Sequence, residues 1–262
     1  MTRIITLTTD FGTSDAFVGT MKGVILSINP QATIVDITHE IAPQNVEQGG
    51  FIFGASAKYF PANAIHVVVV DPGVGSARRP IAVQLGETTY VAPDNGVLSF
   101  ATRHSALAPR AFHLTNPQYF LPRVSSTFQG RDIFAPCASH LSLGVPLEEM
   151  GKPISDWVRL ARVLPVLRGD GAIVGRVVHI DRFGNIVTNI NEESLQGMKR
   201  ERMGVEIAGK KIDGLKRTYA DGAVGELIAL INSSWDLEIA QREGRAAQTL
   251  GAKVGDEVIV SA

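Results

Sequence analysis

Four consecutive valines, Val67 to Val70, run straight into Asp71 and a glycine-rich turn in the stretch VVVVDPGVGSARRP, residues 67–80. An apolar run without alternation buries both of its faces, as in a strand inside a parallel sheet covered by helices on either side. The surrounding sequence agrees. Residues 4–7, 33–37 and 65–70 are β-branched runs. Between the first two, Phe17, Met21, Val24, Ile25 and Ile28 fall at helical spacing and Asn29-Pro30 stops the helix. A second helix is predicted over residues 46–58, a pair of short strands over 81–84 and 88–91 joined through Gly86-Glu87, a polar turn at Pro93-Asp94-Asn95-Gly96, and a further helix over 132–143. Strands alternating with amphipathic helices define an α/β domain with a mostly parallel sheet.

Residues 146–170 hold prolines, Gly151 and a charged close, which makes them the candidate linker. Beyond them GAIVGRVVHID, IVTNI, MGVEIAG, ELIALIN, WDLEIA and DEVIVSA are short β-type runs divided by Gly, Asp and Asn turns, the pattern of a small all-β barrel or sandwich. The division expected is therefore an α/β domain over residues 1–160 and a β-barrel domain over 161–262.

Composition narrows the partners. The chain has 262 residues, with 25 Lys plus Arg against 26 Asp plus Glu, so no excess of positive charge points to nucleic acid or an anionic membrane. Small molecules are the expected ligands. The single cysteine, Cys137, excludes a disulfide framework within the chain and a cysteine-based zinc site, and reads as a small core hydrophobe. The opening MTRIITLTTD reaches an Asp before a signal-peptide core forms, and no run approaches the roughly 18 apolar residues of a membrane span. A cytoplasmic location is the expectation.

Five stretches carry groups suited to chemistry. In TTDFGTSD, Asp10 leaves the first strand at the edge where open α/β sheets bind ligands, and a carboxylate there can take both protons of a sugar diol; alternatively Asp10 and Asp15 cap the following helix. In the second, Asp71 and Arg78 either brace the turn as an ion pair or face a ligand. The turn lacks the Lys-Ser/Thr ending of a P-loop, and GVG is a weak dinucleotide fingerprint. In STFQGRDIFAPCASHL, Gln129, Arg131 and Asp132 precede a helix whose N-terminus would favour an anion or a polarised water, while His140 among Ala, Cys and Leu fits the core better than catalysis. Asp181 and Asn185 flank Gly184 in HIDRFGNIVTNI, as a hairpin or as a grip on an amino-acid head group. Asn232, Ser233 and Ser234 in LINSSWDLEIAQREG offer partners to a purine edge.

Taken in order, TTDFGTSD, DITHEIAPQNVEQGG, VDPGVGSARRPI, PDNGVL, TFQGRDIFAP, DRFGNIVTNI and INSSWDLEIAQREG resemble the S-adenosylmethionine hydroxide adenosyltransferase family, relatives of the fluorinase and chlorinase. The resemblance spans nearly the whole chain. It implies cleavage of S-adenosylmethionine by water at ribose C5′, giving adenosine and methionine with no metal or cofactor. It also implies a homotrimer with each site between the N-terminal domain of one subunit and the C-terminal domain of its neighbour. By resemblance Asp71 and Arg78 handle the water, Asp10 grips the ribose, Asp15, Asp181, Asn185 and Ser233 hold the methionine end, and Asn232, Ser234 and the segment from Gln241 to Glu243 line the adenine pocket. The halogenating relatives carry Tyr in place of Asp71, Ser in place of Gly130, and an extra loop near the Gly86 hairpin; Asp71 would repel a halide. One position departs from the hydrolases. They read TFHGRD, and here the His is Gln129, which can hydrogen-bond but cannot titrate near neutral pH. The alternative to hydrolysis is a weak or silent S-adenosylmethionine or adenosine binder, or an engineered His-to-Gln variant of the hydrolase.

Overall fold

Residues 3–102, 107–161 and 163–262 are described by the computed structural model. The chain divides into two units, Met1–Leu160 and Ala161–Ala262. The first comprises β1 (Ile4–Thr9), α1 (Phe17–Ile28), β2 (Thr33–Thr38), α2 (Val46–Ala57), β3 (Ile65–Val69), β4 (Pro80–Leu85), β5 (Thr88–Pro93), α3 (Ser99–Thr102), β6 (Arg110–Leu114), a π-turn Gly130–Phe134 running into α4 (Ala135–Ser142), and β7 (Gly151–Ile154). Its sheet has the order β2-β1-β3-β5-β4-β6-β7. The first four strands pair in parallel. The hairpin at Gly86, where φ is +61°, reverses the chain, and β4, β6 and β7 continue the sheet antiparallel. The mostly parallel sheet expected from the sequence is a mixed one, parallel from β2 to β5 and antiparallel from β5 to β7.

β3 holds the layers together. Its residues alternate between two cores: Ile65, Val67 and Val69 pack with Ile5, Leu7, Met21, Ile25, Phe134 and Leu141, beneath α1 and α4. Val68 and Val70 pack with Phe53, Ile81, Tyr90 and Trp157, beneath α2. Each valine so buried contributes about 1.5–3 kcal/mol, an upper estimate because the unfolded chain already hides some surface.

The linker expected over residues 146–170 is corrected in its first part, residues 146–157, while the boundary between the units, at Leu160 and Ala161, falls in the remainder. Leu147 and Met150 lie in the first core, Gly151–Ile154 forms β7 against β6, and Trp157 fills the second core. Its prolines misled because an edge strand tolerates them: β7 pairs on one side only, so Pro153 costs no ladder bond that an inner strand would need. The helix expected over 132–143 is a π-turn followed by α4, with Pro136 in its first turn, where the missing N–H is not needed.

The second unit is a β-barrel left slightly open. It contains β8 (Val166–Leu167), β9 (Ile173–Ile180), β10 (Ile186–Asn191), β11 (Gly204–Ile207), β12 (Lys210–Asp213), β13 (Leu215–Lys216), β14 (Leu227–Ile231), β15 (Asp236–Gln241), α5 (Ala246–Leu250) and β16 (Glu257–Ser261). The path β12-β11-β16-β9-β10-β15-β14-β13 curls until β12 lies beside β14, with β8 added to β9. Val177, Ile186, Val205, Ile239 and Val260 fill the interior. Among the described residues no helix is long and apolar enough to cross a membrane.

His66, on β3, is fully buried, stacked on Tyr90 at 5.3 Å and hydrogen-bonded through Nδ1 to the Thr6 hydroxyl at 2.7 Å. Burial pulls its imidazole down to about 4. The unfolded chain takes up this proton near pH 6.5 and the folded chain does not, so His66 costs no stability above pH 6.5. As pH falls towards 4 it should remove up to about 3 kcal/mol. Urea denaturation at pH 7 and pH 4.5 should therefore show a smaller acid loss in His66→Phe than in the natural chain; equal losses would refute the assignment.

Candidate active site

The chain leaves β1 through α1 to reach β2 on one side, then returns through α2 to β3 on the other side of β1. The two helices cover opposite faces, since Met21 and Ile25 belong to one core and Phe53 to the other. A crevice opens at such a switch point, at the carboxyl ends of the two strands. Two carboxylates stand there. Thr9 is in register with Val69, so Asp10 and Asp71 leave neighbouring strand ends. Asp10 accepts the Gln44 N–H through Oδ2 at 2.7 Å, and Oδ1 has no hydrogen-bond partner among the described residues. Asp15 is exposed. Neither aspartate caps α1, which begins after Ala16 with no side-chain cap, so the capping alternative falls.

Asp71 and Arg78 form a buried pair, their side chains 5% and 9% exposed. Arg78 Nε lies 2.9 Å from Oδ1 and 3.0 Å from Oδ2, and Nη2 donates to Oδ2 as well. Removing either charge alone would strand the other in an apolar setting, at a cost of about 3–5 kcal/mol. The Arg78 guanidinium lies 5.4 Å from the Phe134 ring centroid, and its Nη1 is buried with no partner. The glycine turn is built for contact rather than for phosphate. It leads into β4 and not into a helix, so the P-loop alternative is excluded. Gly75 has φ +79°, and a Cβ there would stand 2.4 Å from the Ser126 carbonyl oxygen. Only glycine lets the turn press against the loop that carries Gln129.

Gln129 stands immediately before the π-turn that ends on Phe134, and its Oε1 is buried without a partner. The anion-binding helix terminus expected here is not formed. The N–H groups of Arg131 and Asp132 both donate to the Phe128 carbonyl at 3.2 Å. The fully buried Asp132 carboxylate accepts Arg131 Nε at 2.6 Å, Arg131 Nη2 at 3.0 Å and the Ser125 N–H at 2.7 Å. His140 packs edge-on to Tyr119 at 5.1 Å and burial lowers its pKa, the core reading; Cys137 is buried and burial pushes its thiol up.

In the second unit Asp181 accepts the Asn185 N–H at 2.9 Å and its Nδ2 at 3.1 Å, across a turn in which Gly184 has φ +85°. Asn232 sits in the β14–β15 turn as expected, but its side chain is spent there: Oδ1 accepts the N–H groups of Ser234 and Asp236, and Nδ2 donates to Glu238 at 3.3 Å. Ser233 is exposed and Ser234 half-buried. Gln241 donates to the Gly225 carbonyl and accepts from Thr249, while Glu243 is exposed with φ +54°. Two groups escaped the sequence reading. Glu238 is buried, burial raises its pKa, and the Tyr219 hydroxyl donates to it at 2.7 Å. The signal was a lone Glu amid the inward residues of WDLEIA. A cavity of about 310 Å³ bordered by Leu195, Met198, Met203, Leu215 and Ile231 contains none of the sequence-predicted residues. No cluster of three or more His, Cys, Asp or Glu able to hold a metal occurs among the described residues.

Residues 5–151 match the SAM hydroxide adenosyltransferase N-terminal domain and residues 175–259 the corresponding C-terminal domain. The chain belongs to the SAM hydroxide adenosyltransferase family. Its curated relatives include the (R)-S-adenosyl-L-methionine hydrolases of Salinispora tropica, 35% identical over 98% of this chain and 97% of the relative, and of Thermus thermophilus, 35% identical over 97% of each. A fluorinase from Nocardia brasiliensis is 30% identical over 98% of this chain and 96% of the relative. A solved structure described as an uncharacterized conserved protein from Thermotoga maritima superposes with a TM-score of 0.92 at 36% identity, covering 99% of this chain and all of that one. The Gly75 contact is open to test. Gly75→Ala should cost about 1–3 kcal/mol of stability, as read by thermal denaturation; an unchanged melting temperature would show that the turn tolerates a Cβ against Ser126.

Proposed function

We propose that this chain hydrolyses S-adenosyl-L-methionine at ribose C5′, releasing adenosine and L-methionine. The observation that carries this reading is the buried Asp71–Arg78 pair at the end of β3, with Arg78 Nη1 and Gln129 Oε1 both buried and unpartnered. A water molecule matches that set. It donates to Asp71 and to Gln129 Oε1, and it accepts from Nη1. Its oxygen forms a bond to C5′ as the C5′–S bond breaks. The bonding pair leaves with sulfur, which becomes the neutral thioether of methionine, and the proton shed by the new C5′–OH passes to Asp71. The sulfonium is an activated leaving group, so departure requires no general acid, and rate comes from placing the water in line.

The remaining roles follow the resemblance. Asp10 takes the ribose hydroxyls through its unspent Oδ1. Asp15, Asp181, Asn185 and Ser233 hold the methionine end, and Asn232, Ser234, Gln241 and Glu243 border the adenine. A homotrimer whose sites join one copy's first unit to another's second unit is part of the same proposal. Water is favoured over halide by the relatives' lengths. The match to the fluorinase runs over 294 positions, far more than the 262 residues of this chain, so the fluorinase carries segments absent here; the hydrolase matches of 259 to 266 positions require only short insertions.

Chromatography of products from each sulfonium epimer of S-adenosylmethionine tests the reading, with three proteins compared. The natural chain should yield adenosine, and Asp71→Asn should be slower by about 10²- to 10⁴-fold. Gln129→His introduces a group that titrates near pH 6.5, so its rate should climb through that pH, whereas the natural chain stays level there. Tight S-adenosylmethionine binding by the natural chain without adenosine would instead establish the silent binder.

A further inference from the structure

Behind the Asp10 loop lies a chain of contacts that the proposed reaction does not use. Thr9, fully buried, places its hydroxyl 2.9 Å from His39 Nδ1 and accepts the Phe11 N–H at 3.2 Å. His39 is itself buried, and its Nε2 lies 3.1 Å from Asp36 Oδ1. Asp36 in turn holds Lys22 at 2.5 Å. A hydroxyl has one hydrogen and two lone pairs. Thr9 takes the Phe11 N–H on one lone pair, and its hydroxyl and His39 Nδ1 share the second hydrogen bond, in the direction the imidazole tautomer sets. The backbone of His39 grips the same loop from its other end, its carbonyl accepting the Gly12 N–H at 2.8 Å. The neighbouring Gln44, at φ +66°, donates its N–H to Asp10 itself.

We infer that His39 is the positioning residue for Asp10: side chain and carbonyl fix Thr9 and Gly12, the residues on either side of Asp10 and Phe11, so that the free Oδ1 is aimed before any ligand arrives. A carboxylate that must reach two sugar hydroxyls together gains from being held in place, because ordering it is then not charged to binding. This inference rests on the ribose-binding reading of Asp10.

Calorimetry with adenosine and 2′-deoxyadenosine tests it on the full chain without requiring turnover. The natural protein should prefer adenosine by about tenfold or more, the worth of a hydrogen bond to a charged group. Asp10→Asn and His39→Ala should each shrink that preference, and the double variant should lose no more than the larger single loss. His39→Asn, whose side-chain amide can meet the Thr9 hydroxyl as donor or acceptor, should restore it. Thr9→Val, which removes the hydroxyl while keeping the shape, should behave as His39→Ala does and serves if the latter fails to fold. A full preference in His39→Ala alongside its loss in Asp10→Asn would overturn the role of His39 alone. A full preference in Asp10→Asn would overturn the ribose role and this inference with it, and additive losses would make His39 a separate structural element.

Discussion

A strand with no polar face must be covered on both sides, and β3 imposes that condition on the first unit. Ile65, Val67 and Val69 need α1 and α4, and Val68 and Val70 need α2. Helices on opposite faces force the chain to part at β1 and β3, and the parting makes the crevice. The same burial that stabilises the sheet delivers a carboxylate to the crevice, because the valine run ends on Val70, the residue before Asp71. A charge at the margin of such a core needs a partner, and Arg78 supplies it from seven residues along the chain. Gly75 is the residue that lets this partnered turn rest on the Ser126 loop.

In the proposed reaction, charge suits this crevice to a sulfonium. Asp71 and Arg78 are neutral as a unit, so the pair neither repels the cation nor binds it in a dead-end ion pair. Asp10 keeps a free oxygen beside them. In the proposed reaction the pair polarises a neutral nucleophile, whereas an anion would meet the carboxylate of Asp10. Gln129 fits the same logic, since its amide oxygen accepts a hydrogen that a halide does not have.

Much of the fold was legible because its signals are local. The valine run, the helical spacing from Phe17 to Ile28 and the short β runs after Gly171 report burial patterns that secondary structure alone satisfies. The antiparallel half of the sheet was less legible. β6 and β7 pair with strands far along the chain, and β7 carries a proline that reads as linker until its edge position is known. In the site, Asp71 and Arg78 could be named from sequence, yet spacing alone left open whether they met. The Thr9–His39 contact crosses 30 residues. DITHEI displays the histidine without indicating what it holds. Asn232 marks the limit from the other side: the residue type was right for a purine edge, and the turn itself consumes its side chain.

Hydrolysis in water enriched in oxygen-18, followed by mass spectrometry of both products, addresses the attack of water on C5′ most directly. Adenosine should carry one heavy oxygen at its 5′-hydroxyl, and methionine should carry none. Unlabelled adenosine, or label in an amino-acid product accompanied by methylthioadenosine, would place the reacting bond elsewhere and contradict the assignment of Asp71 and Arg78 to a water aimed at C5′.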